Sequence, residues 1–286
     1  MVQKFKTVLL LGALTGILLV MGNLLGGRGG MTIALLMAGL MNFIAFFFSD
    51  KIVLAMYRAR ELSPQEAPRL HHNVEILASS AGIPKPKVYL IPTPSPNAFA
   101  TGRSPSNSSV AVTEGIMKTL SENELKGVLA HEISHIKNRD TLVQVVAATI
   151  AGAIMYIANM LRWGLFFFGP RRSDDSDSGM GGLVSVIALA VFAPIAAFLV
   201  QMAISRSREY LADETGAKIS GDPLALAQAL KKIAGYSRKI PLEANPSTSH
   251  LFIVNPLSGS TIASLFSTHP PIEKRVERLE RMTKFA

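Results

Sequence analysis

The sequence predicts an α+β protein. A small sheet and several polar helices are interrupted by four transmembrane helices arranged as two hairpins. Three observations carry this. Four uncharged apolar runs of about 20 residues or more punctuate the chain, each long enough to cross a bilayer of about 30 Å as a helix. Between residues 87 and 113, short segments bounded by proline and glycine read as strands. The stretch Ser121–Asp140 reads as a helix that opens with a capping box, Ser121 with Glu124.

Composition agrees with a membrane protein. Of 286 residues, 49% are hydrophobic and 17% charged, and the mean hydropathy is +0.31, high for a protein surrounded by water. The lipid bilayer is therefore an expected partner. The net charge of +9 fits Lys and Arg flanking spans. No aromatic–basic interleaving of the kind a nucleic-acid platform needs is present, so no nucleic-acid partner is expected. Cysteine is absent, which excludes disulfides, a thiol nucleophile and a Cys-ligated metal.

In chain order, the first run lies between Lys6 and Arg28 and the second between Arg28 and Asp50. No small-residue cleavage site follows the first run, so residues 1–49 are expected to stay as a transmembrane hairpin turning at Gly26–Gly30. Residues 50–140 then form the first part of a polar domain. It comprises a proline-bounded connector (58–68), a helix through Val74–Ala81 ending at Gly82, and strands at Lys87–Ile91, Asn97–Gly102 and Ser109–Thr113. An edge strand of such a sheet can pair with an extended peptide, or it can be an ordinary edge. Residues 141–204 form the second hairpin, from the runs Asp140–Arg162 and Asp177–Arg206 joined by a Ser/Asp/Gly loop, Gly169–Gly182. Residues 205–286 complete the polar domain with helices near 206–213, from Pro223 to about Ile233 and after Pro271. The Lys, Arg and Glu of that last helix read as a solvated face, with Ile272, Val276 and Leu279 as its apolar stripe. His71, His72 and His250 read as surface residues.

The chemistry concentrates in the 121–140 helix. His131 and His135 are four residues apart, so both rings project from one helix face and can hold one Zn²⁺. Glu132, beside the first of them, can take the proton of a water activated there. A third ligand is required. His135 lies a few residues before the third run, and Glu209 a few residues after the fourth. An antiparallel pair of spans would return the chain to the face it left, so Glu209 is the expected third ligand. Asp213, one turn on, is expected to orient a ligand histidine.

This set of residues resembles the HtpX membrane zinc metalloproteases, relatives of the CAAX prenyl endopeptidases. The resemblance rests on His131-Glu132-Ile133-Ser134-His135 with Asn138-Arg139-Asp140, on Ser205–Asp213, and on Asn97-Ala98-Phe99-Ala100-Thr101-Gly102. Gly82–Tyr89 and Ser267-Thr268-His269-Pro270-Pro271 add to it. It implies a zincin-like catalytic domain of the thermolysin type. One zinc per chain would sit on His131, His135 and Glu209, with Glu132 as catalytic base and Asp213 behind the ligands. Asn97, Ala98 and Phe99 would line the substrate cleft, and His269 would lie near it. His269 opens a helix, where the dipole disfavours imidazolium, so it can serve as a neutral donor to an oxyanion or simply as a packing or capping residue. The implied activity is endoproteolysis of misfolded or damaged membrane proteins, in stress-responsive quality control of the cytoplasmic (inner) membrane.

Charge places the site. Lys4, Lys6, Lys51, Arg58, Arg60, Lys137, Arg139, Arg206 and Arg208 lie near the span ends on the expected domain side, against Arg28, Arg162, Arg171 and Arg172 on the other. Short loops rich in Lys and Arg stay in the cytoplasm, so the site is expected to face it. Three other readings are a transporter with a structural metal, an inactive relative acting as a holdase, and a peptidase for prenylated C-termini. The first needs ionisable residues within the spans, and the second a lost Glu132 or ligand. The compact four-run pattern weighs against the third.

Overall fold

The structure, a computed structural model, describes residues 2–168, 194–195, 198–199, 206–237, 245, 247–254 and 270–283. Helix α1 (Val2–Met56) is broken once, at Gly26 and Gly27; Gly27 has φ 53° and ψ −137°, which glycine alone adopts without strain. The break folds α1 into an antiparallel hairpin, as the glycine run predicts. Gly22 lies against Gly30 and Ala34, and Asn42 Nδ2 donates to Thr15 Oγ1 (2.9 Å) across the two arms. Such interhelical hydrogen bonds hold apolar helices together where burial gives little drive.

The polar domain begins with β1 (Arg60–Glu61) and α2 (Pro68–Ala81). Gly82 ends α2 in the left-handed conformation. Strands β2 (Lys87–Ile91), β3 (Ala98–Ser104) and β4 (Asn107–Thr113) follow. The mixed sheet has the order β1-β2-β4-β3: β2 and β4 are parallel, while β1–β2 and β3–β4 are antiparallel. This leaves β3 at an edge. After the short α3 (Glu114–Thr119) comes α4 (Glu122–Lys137). It packs against the sheet and α2 in the main core through Val128, Leu129, Ile133 and Ile136. Helices α6 (Arg206–Ser220), α7 (Pro223–Ser237) and α8 (Ile272–Met282) close the other side.

Helix α5 (Thr141–Phe168) carries the third apolar run. One side packs on the first arm of α1, where Leu10 and Leu14 meet Val143, Val146, Ala147 and Ile150. Another supports β3, through Val145 and Ala148 against Phe99 and Phe252. Among the described residues one stretch, Gly26–Met56, is long and apolar enough to cross a membrane; Phe5–Val20 and Thr141–Tyr156 are shorter apolar helices. The Gly26–Met56 arm exposes Ile33, Leu36, Leu40, Phe43 and Phe47. The loop at 169–182 and most of the fourth run lie outside the described residues, although Leu199 joins the cluster between α1 and α5.

Candidate metal centre

The centre is built on α4. Its capping box forms as expected: the Ser121 backbone N–H donates to Glu124 Oε2 (2.8 Å) and Ser121 Oγ accepts from the Glu124 N–H. The helix ends in a Schellman motif. Arg139 N–H donates to Ile136 O and Asp140 N–H to His135 O (3.1 and 3.0 Å), with Arg139 at φ 59° where glycine is usual. A residue with a Cβ in that conformation costs about 1–2 kcal/mol. The turn carries the Asp140 carboxylate back to the helix it follows, and Asp140 Oδ2 accepts from His135 Nδ1 at 3.3 Å.

His131 and His135 share the buried face of α4, with their rings at 89° and their Nε2 atoms 3.2 Å apart. Opposite them runs α6, whose Glu209, Asp213 and Gly216 lie on one face at helical spacing. Gly216 sits on the α4 backbone itself. A Cβ added there would stand 2.9 Å from His131 N and 3.0 Å from His131 Cα. This close approach delivers Glu209, whose Oε1 is 3.4 Å from His135 Nε2 and whose Oε2 is 3.8 Å from His131 Nε2. Asp213 Oδ1 accepts from His131 Nδ1 at 2.9 Å.

The donor atoms of His131, His135 and Glu209 all lie within 4.8 Å of one another. Both Nδ1 atoms are engaged by carboxylates, which turns both Nε2 atoms toward Glu209. Ligands 2.0–2.1 Å from a tetrahedral zinc are about 3.3–3.4 Å apart. The observed 3.2 Å between the two Nε2 atoms and 3.4 Å from His135 Nε2 to Glu209 Oε1 are close to this, while the other Glu209 oxygen is 3.8 Å from His131 Nε2, so the three side chains suit such an ion after a small turn of the carboxylate.

Electrostatics set the site apart from an ordinary core. Burial holds His131 down to about 4, with Arg275 and His135 adding to the effect. Burial works the same way on His135, but Glu209, Asp140 and Glu132 outweigh it and push that ring up to about 10. Burial, with Glu209, pushes Glu132 up to about 7, against the backbone N–H of Ala100, which favours the charged form. Burial likewise opposes the Asp213 carboxylate, yet the Arg275 guanidinium and His131 keep it below the usual range.

Glu132 shares a small enclosed cavity, of about 10 Å³, with His131, His135, Glu209 and the segment His250–Ile253. That segment runs beside the edge of β3. Ile253 N–H donates to Ala98 O at 3.0 Å, and Asn97 clamps Val254, donating to its carbonyl (2.8 Å) and accepting from its N–H (3.4 Å). Phe99 stacks edge-on against Phe252.

Thus His131, Glu132, His135, Glu209 and Asp213 converge, while Asn97, Ala98 and Phe99 lie beside the centre but buried beneath residues 252–254. His269 lies outside the described residues. Two expectations need correction. His71 and His250 are buried, not on the surface. His71 faces the Leu62 carbonyl (3.0 Å) and His250 the Gln144 carbonyl (3.2 Å), because each sits where two elements close on one another. His72 is exposed as expected. Nor is the charge of α8 wholly solvated: Arg275 is fully buried and forks onto Asp213. The sequence held a signal for it, since 272, 275, 276 and 279 share one helix face. Asp140, paired with Arg208 at 3.1 Å, had no role assigned from sequence.

Two histidines one turn apart, a glutamate from a second helix and a second glutamate lining the same cavity are the apparatus of a metallopeptidase. The chain belongs to peptidase family M48, which it matches over residues 64–283. It is 55% identical over 277 residues to a protein named protease HtpX homolog from Desulforapulum autotrophicum, covering 97% of this chain and 89% of that one. Homologs of the same name from Syntrophobacter fumaroxidans (56% over 281 residues, 98% and 99% covered) and Pyrococcus furiosus (58% over 278 residues, 97% and 95%) are equally similar. The crystal structure of S. mikatae Ste24p aligns with a TM-score of 0.49 at 18% identity, over 97% of this chain and 65% of that chain.

Proposed function

We propose that this chain is a zinc-dependent endopeptidase of the cytoplasmic membrane that cleaves misfolded or damaged membrane proteins. The observation that carries the reading is the meeting of His131, His135 and Glu209 donor atoms within 4.8 Å, with Glu132 lining the same cavity. These three residues hold one zinc per chain, and Asp213 and Asp140 fix the rings. Zinc, when bound, supplies a Lewis acid that polarises a carbonyl and acidifies water. Glu132 accepts the proton of the attacking water and hands it to the leaving amine. Burial raises its pKa above the usual carboxylate range, the direction that favours proton uptake. His269 is the proposed oxyanion donor, from its sequence position alone.

The zincin-like, thermolysin-type reading is supported by a mixed sheet whose edge strand, β3, borders the α4 centre. In that reading Asn97, Ala98 and Phe99 bind the extended substrate. The four-span architecture is supported by the α1 hairpin with its exposed apolar second arm. The third run is enclosed by protein over its first turns, so the second hairpin rests on the sequence pattern. The charge distribution puts the site on the cytoplasmic side, and the names of the relatives support proteolysis.

The test is metal content and casein proteolysis of the detergent-purified chain, with and without Glu132→Gln. Stoichiometric zinc in both proteins and proteolysis only in the unsubstituted one is the expected result. Loss of metal together with activity would show that Glu132 is misassigned.

A further inference from the structure

Arg275 lies in α8, far in sequence from the His-Glu pair of helices, and its side chain is fully buried. A guanidinium removed from water costs several kcal/mol unless its donors are met. Here they are met by the metal centre. Nε donates to Asp213 Oδ2 at 2.8 Å and Nη2 to Asp213 Oδ1 at 2.7 Å, a two-point fork. Nη1 donates to Ile253 O at 2.9 Å and lies 3.9 Å from Glu209 Oε2. Nη2 is also 3.4 Å from both ring nitrogens of His131. A point equidistant from both nitrogens in the ring plane would collide with Cε1, so Nη2 stands over the face of the ring. It leaves the Nε2 lone pair unobstructed.

The fork matters because one oxygen serves two donors. Asp213 Oδ1 accepts from Arg275 Nη2 and from His131 Nδ1, at 2.7 and 2.9 Å. A carboxylate held at one point swings about its Cβ–Cγ bond; one held at two points does not. We propose that Arg275 is a positioning residue of the metal centre. By clamping Asp213 and covering the face of His131, it holds that ring with Nδ1–H on the carboxylate and Nε2 aimed at the ion. This rests on zinc being held by His131, His135 and Glu209. Lysine can supply the charge but not the planar two-point fork, so charge and geometry can be separated.

The experiment measures zinc affinity of the full-length chain in detergent, by competition with a chromophoric chelator, for the wild type, Arg275→Gln, Arg275→Lys, Asp213→Asn and the Arg275→Gln/Asp213→Asn pair. Cobalt-substituted visible spectra report ligand geometry independently of turnover. Arg275→Gln is expected to weaken zinc by about 10–100-fold, as losses of ligand-orienting partners do. Arg275→Lys should be weakened less but show an altered cobalt spectrum. The double variant should be little worse than the worse single one, because both substitutions act through the same ring. A folded Arg275→Gln with zinc affinity within twofold of wild type, or losses that simply multiply in the double variant, would overturn the assignment. If Arg275→Gln does not fold, Arg275→Lys decides: unchanged affinity with an unchanged cobalt spectrum overturns it, and weaker binding with a changed spectrum supports it. A wild-type chain that takes up no zinc at His131 and His135 would instead overturn the metal-site reading itself.

Discussion

Gly216→Ala is the smallest change that tests how the centre is assembled. The added methyl would stand 2.9 Å from His131 N, about 0.5 Å inside the 3.4 Å at which ordinary contact begins. The atoms it meets are backbone of α4, which cannot step aside, so α6 must retreat by roughly that amount. Alanine gains about 1 kcal/mol over glycine in helix propensity, and overpacking costs about 1–3 kcal/mol, so net stability should fall by no more than about 2 kcal/mol. The effect on the centre is larger. Glu209 is two turns earlier on the same helix, about 10 Å along a rigid rod, and it moves with it. Metal ligands tolerate about 0.2 Å of displacement. Zinc affinity should therefore drop by at least about tenfold while the thermal melt of the metal-free chain shifts little. Chelator competition and circular dichroism measure the two quantities. Gly235→Ala is the control, since its methyl meets nothing within 4 Å; it should bind zinc normally and melt slightly higher. Wild-type zinc affinity in a folded Gly216→Ala chain would refute the idea that this contact sets the position of Glu209.

Further expectations concern ligands, orientation and access. Glu209→Ala should abolish tight zinc binding, while Asp213→Ala should weaken it by about 10–100-fold; stoichiometric zinc at nanomolar free metal in Glu209→Ala would remove it from the ligand set. The chain has no cysteine, so Asp175→Cys and Glu214→Cys can be labelled singly with an impermeant thiol reagent. Label should reach the first in intact cells and the second, at an exposed position, only after permeabilisation, and the reverse pattern would overturn the cytoplasmic assignment. A polypeptide cannot enter a cavity of about 10 Å³ lined by His250–Ile253. The Ile253 amide, now donating to Ala98 O, should thus lose hydrogen-exchange protection when a peptide hydroxamate binds. Unchanged protection would mean that substrate arrives by another route.

Much of the fold was legible because its signals are local. The capping box at Ser121, the glycine turn at 26–27, the Gly82 stop and the β2 alternation each follow from a few adjacent residues. So does the shared face of His131 and His135. What escaped depends on tertiary closure. β1 is two residues long and exists only by pairing with β2. The burial of His250 requires Gln144, 106 positions away. The role of Asp140 escapes because a Schellman turn with arginine at its left-handed position carries no glycine to announce it. Arg275 escapes because helical charge usually faces solvent, although its place on the Ile272–Leu279 stripe points inward.

Glu209 owes its place to packing that the pattern of apolar runs does not contain. Two membrane spans returning to one face would bring α4 and α6 to the same side, but not to within 4 Å. That precision comes from small residues: Gly216 lies on the His131 backbone and Gly127 on the Leu226 backbone of α7, so three helices interlock around the histidines. The first turns of the third apolar run, buried between α1 and β3, form a floor to this arrangement. Cores transmit displacement because they are close-packed. A shift of the α1 hairpin against α5 would therefore be felt at Asp140, the first residue before α5 and the partner of His135. The site is thus mechanically continuous with the most membrane-like part of the chain.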